Sequence, residues 1–204
     1  IASLAALLIT ALWSVDEYTG AVKMTWSLDN ITQVITGALY QAVTLRTVGV
    51  ALLVTVVDIL IALPIAFFMA KVAGPRLQRF MVIAVLMPLW ASYLVKAYAW
   101  RSVLSEDGPL DSVLSFFGGA GPGYGFEGTV LTLAYLWLPF VILPIFTAFD
   151  RVPNSILEAS SDLGAKTGTT FRHIVVPMIV PGIVAGSIFS FSLTLGDYIS
   201  VKIV

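Results

Sequence analysis

The residues able to do chemistry in this chain are few and widely spaced. The single histidine, His173, has no second histidine and no carboxylates at metal-ligand spacing, and there is no cysteine. Neither a metal site nor a thiolate centre can be assembled from that set. Residues 164–168 carry the lysine and threonine of a phosphate loop, but Ala165 stands where a glycine must precede the lysine and no strand leads in, so this chain is not expected to hydrolyse ATP. What remains are carboxylates in apolar surroundings. Asp58 falls near the middle of a long apolar run, where an ionised group is costly unless it faces a bundle interior or an aqueous cavity. It is either an attractant for a cation or a structural partner for a Ser, Thr or Arg of a neighbouring helix. Asp197 adjoins Tyr198, and a carboxylate beside an aromatic ring suits an ammonium group through charge and cation–π attraction. Plain helix packing accounts for Asp197 equally well. Tyr93 and Trp137 belong to a set with Trp90, Tyr98, Trp100 and Tyr135 that either lines a route for such a cation or forms a belt at the membrane–water interface.

The elements that must position these residues are membrane helices. Hydrophobic residues make up 58% of the 204 and charged residues only 11%, against about a quarter charged in a soluble domain. A water-soluble fold of this size could not hide so much apolar surface. The net charge of -1 offers no basic face to nucleic acid. Four apolar stretches are long enough to cross a bilayer, which takes about 20 residues: 47–70, bounded by Arg46 and Lys71; 80–99, kinked at Pro88; 129–149, with Pro139 and Pro144; and 174–195, with Pro177 and Pro181. Residues 1–15 are too short to cross alone and read as the remnant of a first membrane helix, the end of a signal segment being the other reading. Because the chain opens on Ile1 and stops at Val204 inside an apolar run, about five helices are expected in whole or part, with a sixth beyond Val204.

Basic residues sit in two short connections, Lys71, Arg76 and Arg79 in one and Arg151, Lys166 and Arg172 in the other. The positive-inside rule places both on the cytoplasmic side. The acidic connections, with Asp16, Glu17 and Asp29 and with Glu106, Asp107, Asp111 and Glu127, then face outward. Gly182 and Gly186 have the four-residue spacing that lets two membrane helices approach closely.

The connection 150–173 is longer than most loops between packed helices. Pro153 suits a first helical turn, Ile156, Ala159 and Leu163 share one helical face, and Gly164 can take the left-handed conformation that ends a helix. Thr167, Thr169 and Thr170 are capping types that restart a helix into Phe171 and the following apolar run. The expected object is a helix-turn-helix on the cytoplasmic face; an amphipathic loop lying on the membrane surface is the other reading.

Within that loop, EASSDLGAKTGTTFRHIVVP resembles the EAA signature of ABC importer permeases. Glu158, Ala159, Gly164, Ile174 and Pro177 stand at the signature's positions, while Ser160 replaces its second Ala and Val176 its usual Leu. The likeness runs from about residue 45 to 204 and is nearest to the spermidine/putrescine branch through PLWASYLVKAYAW, YLWLPFVILPIFTAF and PGIVAGSIFSFSLTLGDYIS. It implies an all-α polytopic bundle of the type I importer fold, a single permease domain over 1–204. By carry-over, Glu158, Ala159, Gly164, Phe171 and Pro177 couple to a cytoplasmic ATPase, with Glu158 as the acidic handle. Gly196-Asp197-Tyr198 resembles a recurring element of the polyamine branch, so Asp197, Tyr198, Asp58, Tyr93 and Trp137 are the candidate pathway residues. The implied setting is a multi-pass protein of the bacterial cytoplasmic membrane, in contact with lipid. Its implied partners are a second, paralogous permease, an ATPase dimer holding ATP and Mg, and an external binding protein; no cofactor belongs to this chain. Branches importing sulfate, molybdate, iron, thiamine or phosphonate share the signature. An ion-gradient transporter, favoured only by Asp58, and an intramembrane enzyme, for which the spans hold no nucleophile–base pair, are the rival readings.

Overall fold

The computed structural model describes residues 2–15, 19, 21–24, 26–119 and 121–204. Asp16 and Glu17, assigned above to the outer connection, lie outside the described residues. The chain forms two compact units, 1–49 and 50–204.

In the first unit, helix α1 (Ala2–Thr10) precedes a two-residue antiparallel ladder of β1 (Ser14–Val15) on β2 (Val22–Lys23). Helix α2 (Asp29–Thr36) follows, tied back by Asn30, whose amide donates to the carbonyls of Ala11 at 3.1 Å and Trp13 at 2.7 Å. Gly37 separates α2 from α3 (Ala38–Phe67), which runs on through a π-helical turn, Phe68–Val72. The apolar stretch predicted to start at residue 47 is thus the inner part of a 35-residue helix, Ala38–Val72. Backbone hydrogen bonding propagates a helix through polar residues such as Gln41 and Arg46, so hydropathy marks the buried stretch and not the helix end. At 1.5 Å per residue this helix is about 50 Å long, well beyond the roughly 30 Å of hydrocarbon.

The second unit contains the remaining spans. Helix α4 (Pro75–Trp90) is followed by α5 (Tyr93–Val103), bent from it by 96°. This corrects the single span kinked at Pro88: Pro88 lies inside α4, and the break is an extended joint, Ala91 and Ser92, with ψ near 140° at both. Pro88 cannot donate to the turn before it, which weakens α4 near its end. Helix α6 (Pro109–Phe116) lies in the acidic connection of Glu106, Asp107 and Asp111, ahead of its Gly-rich stretch 118–128, and α7 (Phe126–Asp150) is the straightforward third span. After it come α8 (Asn154–Asp162), α9 (Thr167–Thr170), a second π-helical turn, Phe171–Val175, then α10 (Val176–Leu195) and α11 (Ile199–Ile203). From α9 to α10 the chain is one 29-residue helix, Thr167–Leu195. Among the described residues three helices are therefore long and apolar enough to cross a membrane, four if the bent pair counts as one span. The architecture is the expected all-α polytopic bundle.

Small residues build the tightest seam. A Cβ at Gly182 would meet Ala148 Cβ at 2.5 Å and the Pro144 carbonyl at 2.7 Å, and one at Gly186 would meet Val141 at 3.1 Å. Both glycines are buried where α10 lies along α7, so the Gly-x-x-x-Gly spacing marks a helix interface inside this chain. The adjoining core gathers Ala62, Ala66, Met69, Val141, Ile145, Phe149 and Ile179. At one end of this unit Lys71 donates to the carbonyl of Val152 at 2.6 Å, and Gln78 to Asp150 at 3.2 Å. The two connections rich in basic residues therefore share one end of the bundle, as a common side requires.

Candidate functional site

Two constellations emerge, a polar-locked hairpin at the basic end and an aromatic pocket with a carboxylate farther along the bundle.

The hairpin is α8 turning into α9. Pro153 precedes the first turn, in extended conformation at the N-cap position, instead of entering it, and Gly164 ends the helix with φ +76°, the left-handed value expected of it. The restart is capped by Lys166, without a side-chain cap bond, and not by a threonine. Thr170 is employed elsewhere: its hydroxyl lies 2.6 Å from that of Ser160, and both residues are over 90% buried. The apolar face shared by Ile156, Ala159 and Leu163 is turned away from the bundle. Ile156, Ala159 and Leu163 are exposed, Leu163 at 88%, while Leu157 and Ser160 face the body of the bundle. Glu158 is exposed on the outer side of α8, and Phe171 is exposed just beyond the hairpin. Pro177 lies one residue into α10, immediately after the π turn, whose wider spacing accommodates a residue with no N–H to donate.

The pocket has a volume of about 550 Å³ and is lined by Tyr93, Trp137, Ser192, Leu193, Gly196, Asp197, Tyr198 and Ile199. Four of the five pathway candidates thus meet at one place. Tyr93 is brought there by the break before α5: its hydroxyl donates to Asp197 Oδ1 at 2.5 Å and accepts from the Ser200 N–H at 3.1 Å. With its one proton given to Asp197, Tyr93 receives the Ser200 hydroxyl at 2.7 Å. Asp197 Oδ1 also accepts from the Ser200 N–H at 2.9 Å, an N-terminal cap for α11. Oδ1 is therefore consumed by structure. Oδ2 is buried with no partner among the described residues, and so is the indole Nε1 of Trp137. The Tyr93 and Trp137 rings stack, 6.1 Å apart and 18° from parallel, and Phe140 and Phe189 extend the aromatic series. The ring of Tyr198, largely exposed, carries the Lys202 ammonium at 5.7 Å from its centroid.

Asp58 stands apart from the pocket lining. It is fully buried in α3, where the hydroxyl of Ser190 on α10 donates to its Oδ2 at 2.5 Å. Its Oδ1 is buried with no partner among the described residues, so the bond to Ser190 fits the structural reading and leaves the cation reading open. Reading the sequence did not single out Ser200, Ser190 or Thr170 as a partner. For Ser200 the signal was weak, an Asp just ahead of a short helix, a type that accepts from the N–H groups of a first turn. For the other two there was none, because their partners come from other segments.

Residues 34–204 match the family described as binding-protein-dependent transport system inner membrane component, and the chain belongs to that family, the permeases of ABC importers. It is 41% identical over 217 residues to the inner membrane ABC transporter permease protein YdcU of Escherichia coli (strain K12), covering 99% of this chain and 69% of that protein. It is 31% identical to the spermidine/putrescine transport system permease protein PotB of the same organism, over 81% of this chain and 61% of PotB. The molybdenum transport system permease protein ModB of Azotobacter vinelandii is 30% identical over 74% of this chain and 67% of its own length. The protein is therefore a multi-pass membrane component of a transport system.

Proposed function

We propose that this chain is the polyamine-translocating permease subunit of an ATP-driven importer in a bacterial cytoplasmic membrane. The observation that carries the substrate class is the composition of the pocket: a buried carboxylate oxygen without a partner, three aromatic side chains, and, among the described residues, no basic residue in the lining itself, Lys202 lying on the ring of Tyr198. An ammonium satisfies Oδ2 of Asp197 and gains from the rings. A molybdate-like oxyanion would meet the same carboxylate and only neutral donors in the lining, the Trp137 N–H and the Ser192 and Tyr198 hydroxyls. The likeness to PotB supports the same class.

In this reading residues 1–204 act as one permease domain beside a second, paralogous permease, and an external binding protein delivers the solute. ATP and Mg belong to an ATPase dimer at the cytoplasmic face, and this chain needs no cofactor of its own. The exposed face of α8, with Glu158, Ala159 and Leu163, together with Phe171, docks on the ATPase. Gly164 sets the turn, and Pro177 lies just after the π turn inside the long helix that carries the motion inward. Asp58 serves as a structural partner of Ser190.

The test is ATP-dependent uptake of radiolabelled spermidine and putrescine into proteoliposomes holding the assembled complex. Asp197→Asn, which keeps the size and the Oδ1 acceptor but removes the charge, is expected to lower uptake at limiting polyamine at least about tenfold, the equivalent of 1.4 kcal/mol. An intact complex that hydrolyses ATP and moves neither polyamine would sink the substrate class.

A further inference from the structure

We infer that the Ser160–Thr170 hydroxyl pair is the positioning element that makes α8 and the 29-residue helix behind it a single lever; this rests on reading α8 as the docking helix. Ser160 is the one buried residue of α8 and Thr170 the one of α9, and they meet at 2.6 Å. The apolar residues that would ordinarily glue a helical hairpin, Ile156 and Leu163, point away, and Leu157 is only half-buried at the edge of the core. Between the two helices lie Gly164, in the left-handed conformation, and Ala165, whose N–H returns to the Ser160 carbonyl at 3.1 Å. Such a short backbone turn fixes where α8 ends but leaves its angle to α9 open. A side-chain bond ten residues apart closes that freedom. Because the tie is polar and internal, the apolar face of α8 stays free for a partner. Ser160 occupies the position where the signature carries Ala, and an alanine methyl fills the space without bonding Thr170. Thr170 in turn leads directly into the π turn Phe171–Val175 and so into α10.

A lever predicts that a push on α8 arrives at α10, and amide hydrogen exchange reads this without knowledge of the transported solute. The complex with its ATPase is compared nucleotide-free and with ATP trapped by vanadate, for the intact chain, Ser160→Ala, Thr170→Val and the conservative Thr170→Ser. In the intact chain and in Thr170→Ser, ATP changes protection in both α8 and α10. In Ser160→Ala and Thr170→Val, α8 still responds, while the equilibrium population of the responding α10 state falls about threefold to tenfold, the size of one net hydrogen bond. An α10 response unchanged in both variants overturns the inference, as does a Thr170→Ser chain that behaves like Thr170→Val. Failure of Ser160→Ala and Thr170→Val to copurify with the ATPase overturns it too, since the pair would then merely hold the fold. The coupling reading has its own control: if Leu163→Asp leaves the ATPase bound and ATP alters nothing at α8 in the intact chain, that reading falls first.

Discussion

At the scale of single residues, the division of labour within Asp197 is the most informative detail. One carboxylate oxygen caps α11 and receives the Tyr93 hydroxyl, while the other is left buried and unpartnered beside the pocket. Tyr93→Phe separates the two jobs, because it keeps the ring stacked on Trp137 and removes only the hydroxyl. The expected outcome is a polyamine KM changed about threefold to tenfold at nearly constant maximal rate, since Asp197 loses the bond that orients it. Equal loss of both parameters in an uptake assay would argue instead for a collapsed pocket. Asp58 calls for a different test. Its bond to Ser190 crosses 132 positions of sequence and lies entirely in the interior. Ser190→Ala leaves a buried carboxylate oxygen without its donor and should cost about 1–3 kcal/mol, read as a lower thermal midpoint of the purified protein. An unchanged midpoint would show that the bond adds nothing to stability.

At the scale of elements, the seam of α10 on α7 depends on two missing side chains. Gly182→Ala places a methyl where Ala148 and the Pro144 carbonyl already stand, and the helices must separate. The expected loss is about 1–3 kcal/mol from overpacking, with Ser187→Ala, on the same helix but only half-buried, as the near-neutral comparison. Gly164→Ala forces φ +76° on a residue with a Cβ and should destabilise the hairpin by roughly 1–2 kcal/mol. Hydrogen exchange confined to residues 154–170 would register it. The bend between α4 and α5 deserves the same element-level view. A straight span would carry Tyr93 along the axis of α4, whereas the 96° turn at Ala91 and Ser92 delivers it to Asp197.

At the scale of the whole molecule, sidedness can be measured directly, because the chain has no cysteine to remove. Leu163→Cys, at the basic end, should react with an impermeant maleimide only when the cytoplasmic face is open. Tyr124→Cys, in the Gly-rich connection beyond α6, should react from the outside. The reverse pattern would invert the topology and with it the docking role of α8. The many exposed apolar side chains of the spans, Leu52, Val56, Leu60, Ile188 and Phe189 among them, are surfaces suited to lipid or to a packed partner. Membership of the importer permease family and the paired basic connections agree with that picture.

By itself the sequence determined whatever depends on short-range pattern. Hydropathy over some 20 residues revealed apolar spans, the distribution of Lys and Arg paired the two basic connections, and the spacing from Glu158 to Pro177 identified the hairpin and the family. These signals are local, because helix formation, membrane partitioning and a left-handed glycine each depend on neighbours within a few positions. Tertiary structure decided the rest. Helix ends moved from residue 47 to Ala38, since a helix can outrun the hydrocarbon. Which face of α8 turns inward, that of Leu157 and Ser160, was settled by a buried hydroxyl that finds its partner in another helix. Tyr93, Trp137 and Asp197 converged because a sharp bend and an antiparallel pair of spans bring together residues as much as 104 positions apart, a juxtaposition no local spacing records.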